Sequence, residues 1–95
     1  MTRKKSHPRK ISPSDEELEN EILAMLESEG ADSAASAIGL YASYYRLKES
    51  KRDWMLSPIR ISTRYEALIK RGIVSKISDD DRRYFKPQKA TKGGG

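Results

Sequence analysis

The chain has 95 residues, which allows one small domain and excludes a barrel or two separate cores. Nineteen Lys and Arg against fourteen Asp and Glu give a net charge of +5, and charged residues make up 35% of the chain. There is no cysteine, so disulfides, thiolate metal sites and cysteine nucleophiles are excluded.

The charge is segregated. Residues 1–12 hold five bases (Arg3, Lys4, Lys5, Arg9, Lys10), no acid and Pro8, and they read as a flexible basic arm. Residues 13–32 hold eight acids and no base, whereas residues 57–95 hold ten bases and four acids. Two basic ends bracketing an acidic segment point to a polyanionic partner. No apolar stretch follows the basic start, which argues against a secretory signal. The longest uncharged run, Ser33 to Tyr45, is thirteen residues, short of the roughly 20 needed to span a bilayer. A soluble cytoplasmic protein without membrane contact is expected.

The first helix starts at Ser12 or Ser14. Ser12-Pro13 reads as an N-cap with proline at the first helical position, and Ser14 with Glu17 reads as a capping box. Leu18, Ile22, Met25 and Leu26 recur at helical spacing, and Gly30 ends the helix. A second helix is expected from Asp32 or Ser33 at least to Leu47. Ala34, Ala35, Ile38, Ala42 and Tyr45 would line one face, and Tyr41 and Tyr44 an adjoining one. Those tyrosines either meet a partner or close a small core with their hydroxyls in water. Lys48 to Asp53 extends this helix or forms a turn, and Trp54, Met55 and Leu56 return to the core. Ser57-Pro58 repeats the capping signature and opens a third helix over 58–71 with Ile61, Tyr65, Leu68 and Ile69 inward; Gly72 closes it. Residues 73–77 read as a short strand, 78–81 as a polar turn and 82–86 as the returning strand, stopped by Pro87. The expected fold is mostly α with a small β-hairpin (α+β): three helices, then a two-stranded wing. Residues 13–86 form the domain and 87–95 a flexible tail.

Catalysis finds no support. The single histidine, His7, lies in the arm, and Asp79 to Asp81 lack the alternation and the following Gly and Glu of a calcium loop. No glycine-rich phosphate loop is present. A non-enzymatic protein without cofactor or metal is expected.

Leu56-Ser57-Pro58, then Leu68, then Gly72-Ile73-Val74 resembles the recognition-helix signature of PadR-type regulators. Asp79-Asp80-Asp81-Arg82-Arg83 is similar to the wing of MarR-type proteins. The matches cover roughly residues 56–86. The chain departs from PadR in lacking a C-terminal dimerisation helix, and from MarR in lacking long dimerisation helices. Its size, basic ends and pattern also resemble the small centromere-binding proteins of archaeal plasmid partition cassettes. The resemblance implies a winged helix-turn-helix that binds double-stranded DNA, as a repressor or a partition-site binder.

On that reading the third helix enters the major groove and offers Arg60, Ser62, Thr63 and Arg64, with Ser57 at its N-terminus toward a phosphate. A solvated helix face carrying arginines is the plain alternative. The wing, 75–86, adds Lys76, Arg82 and Arg83 near the minor groove. Alternation puts Arg82 with Tyr84 and Arg83 with Phe85, which favours Arg82 as the contact. The three aspartates would repel phosphate unless they lie beyond the DNA backbone or hold the arginines in place, and a simple hairpin turn of balanced charge is the alternative reading. Lys4, Lys5, Arg9 and Lys10 would grip the backbone. A homodimer on a palindrome is expected, joined through Leu40, Tyr41 and Tyr44 of the second helix, with further copies along DNA or another partition protein as partners. The competing function is a protein-interaction module docking a partner through helices one and two.

Overall fold

Two short signals set the ends of the first helix. In the computed structural model, which describes residues 10–88, Ser14 Oγ accepts from Glu17 N at 3.1 Å and Glu17 Oε1 accepts from Ser14 N at 2.9 Å, a complete capping box. Helix α1 runs Asp15–Glu29, with Leu18, Ile22, Met25 and Leu26 buried. Gly30 ends it at φ +76°, a conformation glycine adopts without steric cost.

The second helix starts later than its sequence pattern implies. Ser36 Oγ accepts from Asp32 N at 3.0 Å and Ser33 N at 3.2 Å, so residues Ala34–Ser36 make a single 3-10 turn. A serine hydroxyl that captures nearby amides in this way competes with helix propagation. Ala37 is extended, and Ile38–Gly39 form strand β1. Helix α2 then runs Leu40–Ser50, with Gly39 as its N-cap. The later start rotates its faces. Leu40, Ser43 and Leu47 are buried, whereas Tyr41 and Tyr45 are 61% and 62% exposed. The expected inward stripe through Ala34, Ala35, Ile38, Ala42 and Tyr45 is thereby corrected.

Helix α3, Pro58–Lys70, opens at Ser57, whose Oγ accepts from Arg60 N at 3.2 Å. Its buried stripe is Ile61, Tyr65 and Leu68. Gly72, at φ +78°, turns the chain into β2, Ser75–Lys76, and β3, Arg83–Phe85, returns antiparallel to it. Strand β1 pairs with the other edge of β3, so a three-stranded antiparallel sheet in the order β1-β3-β2 replaces the expected two-stranded hairpin. The register sets Ile38 opposite Tyr84 and Gly39 opposite Arg83. The class is therefore α+β, three helices with one small sheet. Among the described residues no helix is long and apolar enough to cross a membrane.

Sheet and helices meet at two tyrosines. Tyr84 of β3 stacks on Tyr65 of α3 with ring centroids 3.8 Å apart and planes within 6°. Tyr65 OH shares a 2.7 Å hydrogen bond with Ser43 Oγ, which itself donates to Gly39 O at 2.8 Å. Ser43 has one proton to give, so the Tyr65 hydroxyl donates to Ser43. Burial pushes the Tyr65 hydroxyl above the usual phenol range, against the lowering effect of that bond.

Candidate nucleic-acid interface

Helix α3 has sectors with different surroundings, set by the 3.6-residue period. One sector, Ile61, Tyr65 and Leu68, is core. A second faces α1. Arg60 donates to Ser12 Oγ at 3.2 Å, to the Pro13 carbonyl, and to Asp15 Oδ1 at 3.2 Å. Arg64 donates to Glu19 Oε2 at 2.7 Å, and Arg71 reaches the other oxygen of the same carboxylate at 2.8 Å. Arg64 and Glu19 keep only 18% and 12% of their side-chain surface exposed. The two arginines expected to read base edges are thus tied to acids 15 and 19, which share their i, i+4 spacing.

The outward sector carries Ile59, Thr63, Glu66 and Lys70, all exposed. Ile59 is 79% exposed, the most of any large apolar residue described. Thr63 Oγ1 donates to Ile59 O at 2.9 Å. Ile59 and Thr63 border a recess of about 250 Å³ shared with Leu40, Tyr41, Pro58, Ser62 and Arg82. Composition alone assigns an isoleucine to the core. The angle does not, since Ile59 lies two positions, about 200°, from Ile61.

Ser62 is half-buried near Tyr84, whose hydroxyl is pushed above the usual phenol range by burial, with Ser62 acting to lower it. In the hairpin, Arg83 is clasped by Asp81, with Nε 2.9 Å and 3.0 Å from its two oxygens and Nη2 2.7 Å from one. That guanidinium holds the Asp81 carboxyl below its usual range. Asp81 therefore holds one arginine of the hairpin in place. Lys76 lies 3.6 Å from Glu66. Arg82 is exposed and, among the described residues, forms no ion pair; its carbonyl accepts from Leu40 N at 2.9 Å, joining the start of α2 to the hairpin.

The acids of α1 are largely spent within the molecule. Besides Asp15 and Glu19, Glu21 pairs with Lys51 at 3.6 Å, Glu27 with Lys86 at 3.1 Å and Glu29 with Arg46 at 3.5 Å. Residues 10–88 carry thirteen bases and fourteen acids, so the excess positive charge resides in residues 1–9 and 89–95. Lys4, Lys5 and Arg9 lie outside the described residues. Lys10 donates to Arg52 O at 2.9 Å. Ile11 pairs in parallel with Trp54: Ile11 N donates to Asp53 O at 2.6 Å and Met55 N to Ile11 O at 2.7 Å. The leading segment is therefore pinned to the link between α2 and α3. Of that link, Trp54 and Leu56 pack half-buried against the core as expected, whereas Met55 is exposed, against the expectation.

Of the expected dimer residues, Leu40 is buried at 3% exposure and cannot meet a partner, Tyr44 is half-buried, and Tyr41 is exposed beside Ile59. Compared with known proteins, the chain matches no family model, no curated protein and no solved structure.

Proposed function

We propose that this chain is a sequence-specific double-stranded DNA-binding protein of winged helix-turn-helix type, acting in transcriptional repression or plasmid partition. The observation that carries the reading is the exposed pair Ile59 and Thr63 in the N-terminal half of α3, framed by the start of α2 on one side and Arg82 on the other. The order α1-β1-α2-α3-β2-β3, with β1 and β2 on opposite edges of β3, supports it, as do the PadR-like residues around Ser57 and Gly72.

In this reading α3 lies in the major groove, which is wide enough for a helix, and its outward sector meets the base edges. Tyr41, Ser57 and Arg82 flank that sector and take phosphates or the minor groove beside the wing. Arg60 and Arg64 position α3 on α1 rather than reading bases. The folded body has no surplus of cations, so the electrostatic part of the affinity comes chiefly from the basic ends. One recognition helix reads few base pairs, so a dimer on a palindrome completes the site, with half-sites about 10 bp apart. Tyr45, exposed on α2 and edge-on to Tyr44 at 5.1 Å, is the best remaining self-contact. Further copies or another partition protein would then assemble along the DNA.

A protein-docking function through helices one and two draws on the exposed Tyr41 and Tyr45. It loses the acidic surface it needs, because five of the seven α1 carboxylates pair internally. The deciding experiment is fluorescence anisotropy of labelled duplex with the full chain across about 50–200 mM salt. Binding that weakens steeply with salt supports the proposal. No binding at low salt, or binding insensitive to salt, refutes it.

A further inference from the structure

Resting on the DNA-binding reading above, we infer that Ile59 is a specificity-determining residue that selects thymine through its 5-methyl group. Ile59 sits in the first turn of α3, 79% exposed and diametrically opposite the core stripe. Among the described residues no side chain covers it, and it stands where a groove-bound helix first meets base edges.

Its chemistry limits what it can recognise. Isoleucine neither donates nor accepts a hydrogen bond. The methyl of thymine is the one apolar group that projects from the base edges into the major groove; the rest of those edges offers donors, acceptors or bare C–H positions. In a helix the β-branched side chain is held largely in one rotamer, so the apolar surface is presented with little freedom to lose. The residue one turn on strengthens the case. The Thr63 hydroxyl proton is already used on the Ile59 carbonyl at 2.9 Å, so Thr63 brings no spare donor to the same edge. The nearest arginines, Arg60 and Arg64, are held by Asp15 and Glu19. The first two turns of the outward sector therefore read by apolar contact, with Arg82 at the border of the same recess to hold the phosphate chain.

The experiment uses the full chain and duplexes enriched by it from a random-sequence library. Each thymine of an enriched duplex is replaced in turn by uracil, which removes only the methyl, and anisotropy is read for the native protein and for Ile59→Ala. At one thymine of each half-site, uracil is expected to weaken binding of the native protein about fourfold, the factor corresponding to ~0.8 kcal/mol for one methyl-sized group. Ile59→Ala binds the thymine duplex more weakly and is indifferent to the exchange. Ile59 is exposed, so the variant folds, and its unfolding curve checks this. If duplexes are bound and every uracil is neutral, or if Ile59→Ala keeps the penalty, the thymine assignment is overturned and the DNA reading stands. Failure to enrich or bind any duplex overturns both. A variant that keeps the uracil penalty but changes the mass of the free protein in light scattering places Ile59 in a protein interface, which also overturns the assignment.

Discussion

Substitution of Ser43 by alanine tests how α2, α3 and the sheet are held together. The change removes the 2.8 Å bond to Gly39 O and leaves the Tyr65 hydroxyl, 2.7 Å from Ser43 Oγ, without its acceptor in the core. An orphaned buried hydroxyl costs about 1–3 kcal/mol, so a loss of about 2 kcal/mol is expected. Tyr65→Phe removes the orphan itself and leaves Ser43 bonded to Gly39, and it should cost about 1 kcal/mol. In the double variant no unpaired phenol remains, so its loss should fall short of the sum of the two by about 1 kcal/mol. For a domain of this size a 2 kcal/mol loss lowers Tm by roughly 8–16 °C. Urea unfolding followed by the fluorescence of Trp54 measures all four corners of the cycle. A Ser43→Ala variant within about 0.5 kcal/mol of the native protein, or strictly additive losses, would refute the stabilising role assigned to the Tyr65–Ser43–Gly39 hydrogen bonds.

Arg64→Ala should lower stability by about 1–3 kcal/mol, because it strips a charge-assisted bond from the poorly exposed Glu19, whereas Arg82→Ala should leave Tm unchanged and weaken duplex binding; thermal melts beside anisotropy separate the two. Deleting residues 1–9 removes four bases and should reduce the slope of log K against log salt by as much as about 3.6, with similar losses on cognate and random duplexes. Asp81 has a depressed carboxyl pKa in the folded chain, so its pairing with Arg83 contributes above the unfolded carboxylate range and is lost as pH falls through the lower folded value. Carbon-detected NMR should show Asp81 titrating below the usual aspartate range, and Arg83→Ala should return it to that range.

Helices α1 and α3 were legible because their ends are written locally: a capping box at Ser14 and Glu17, Ser57-Pro58, and glycines at 30 and 72. The start of α2 was not, because its competitor is remote. Ile38 and Gly39 bond to β3, some 45 residues on, and nothing within Ala34 to Leu47 announces that partner. The buried Ser43 shows the same limit. A serine between tyrosines reads as surface until Tyr65 is placed beside it. For α3, the sequence separates core from non-core but not the α1-facing flank from the outward one. Arg60 and Arg64 became legible as structural residues only once α1 was packed alongside, and their partners at 15 and 19 are then seen to share their spacing. Ile59 could have been found from the helical angle alone.

The parallel pairing of Ile11 with Trp54 sets a radius. Nine residues precede Lys10, and a fully extended chain covers at most about 3.3–3.6 Å per residue, so no atom of that backbone can lie much more than about 30 Å from the α2–α3 link. Along B-form DNA, at about 3.4 Å per step, this corresponds to roughly nine base pairs. On the DNA-binding reading proposed above, residues 1–9 reach just under one helical turn of duplex from the clasp, so two hydrogen bonds at Ile11 set how far those four bases extend the contact. Residues inserted between Arg9 and Lys10 would lengthen the footprint without touching the recognition helix. On the same reading, loss of the clasp would blur the edge of the footprint while leaving its centre unchanged.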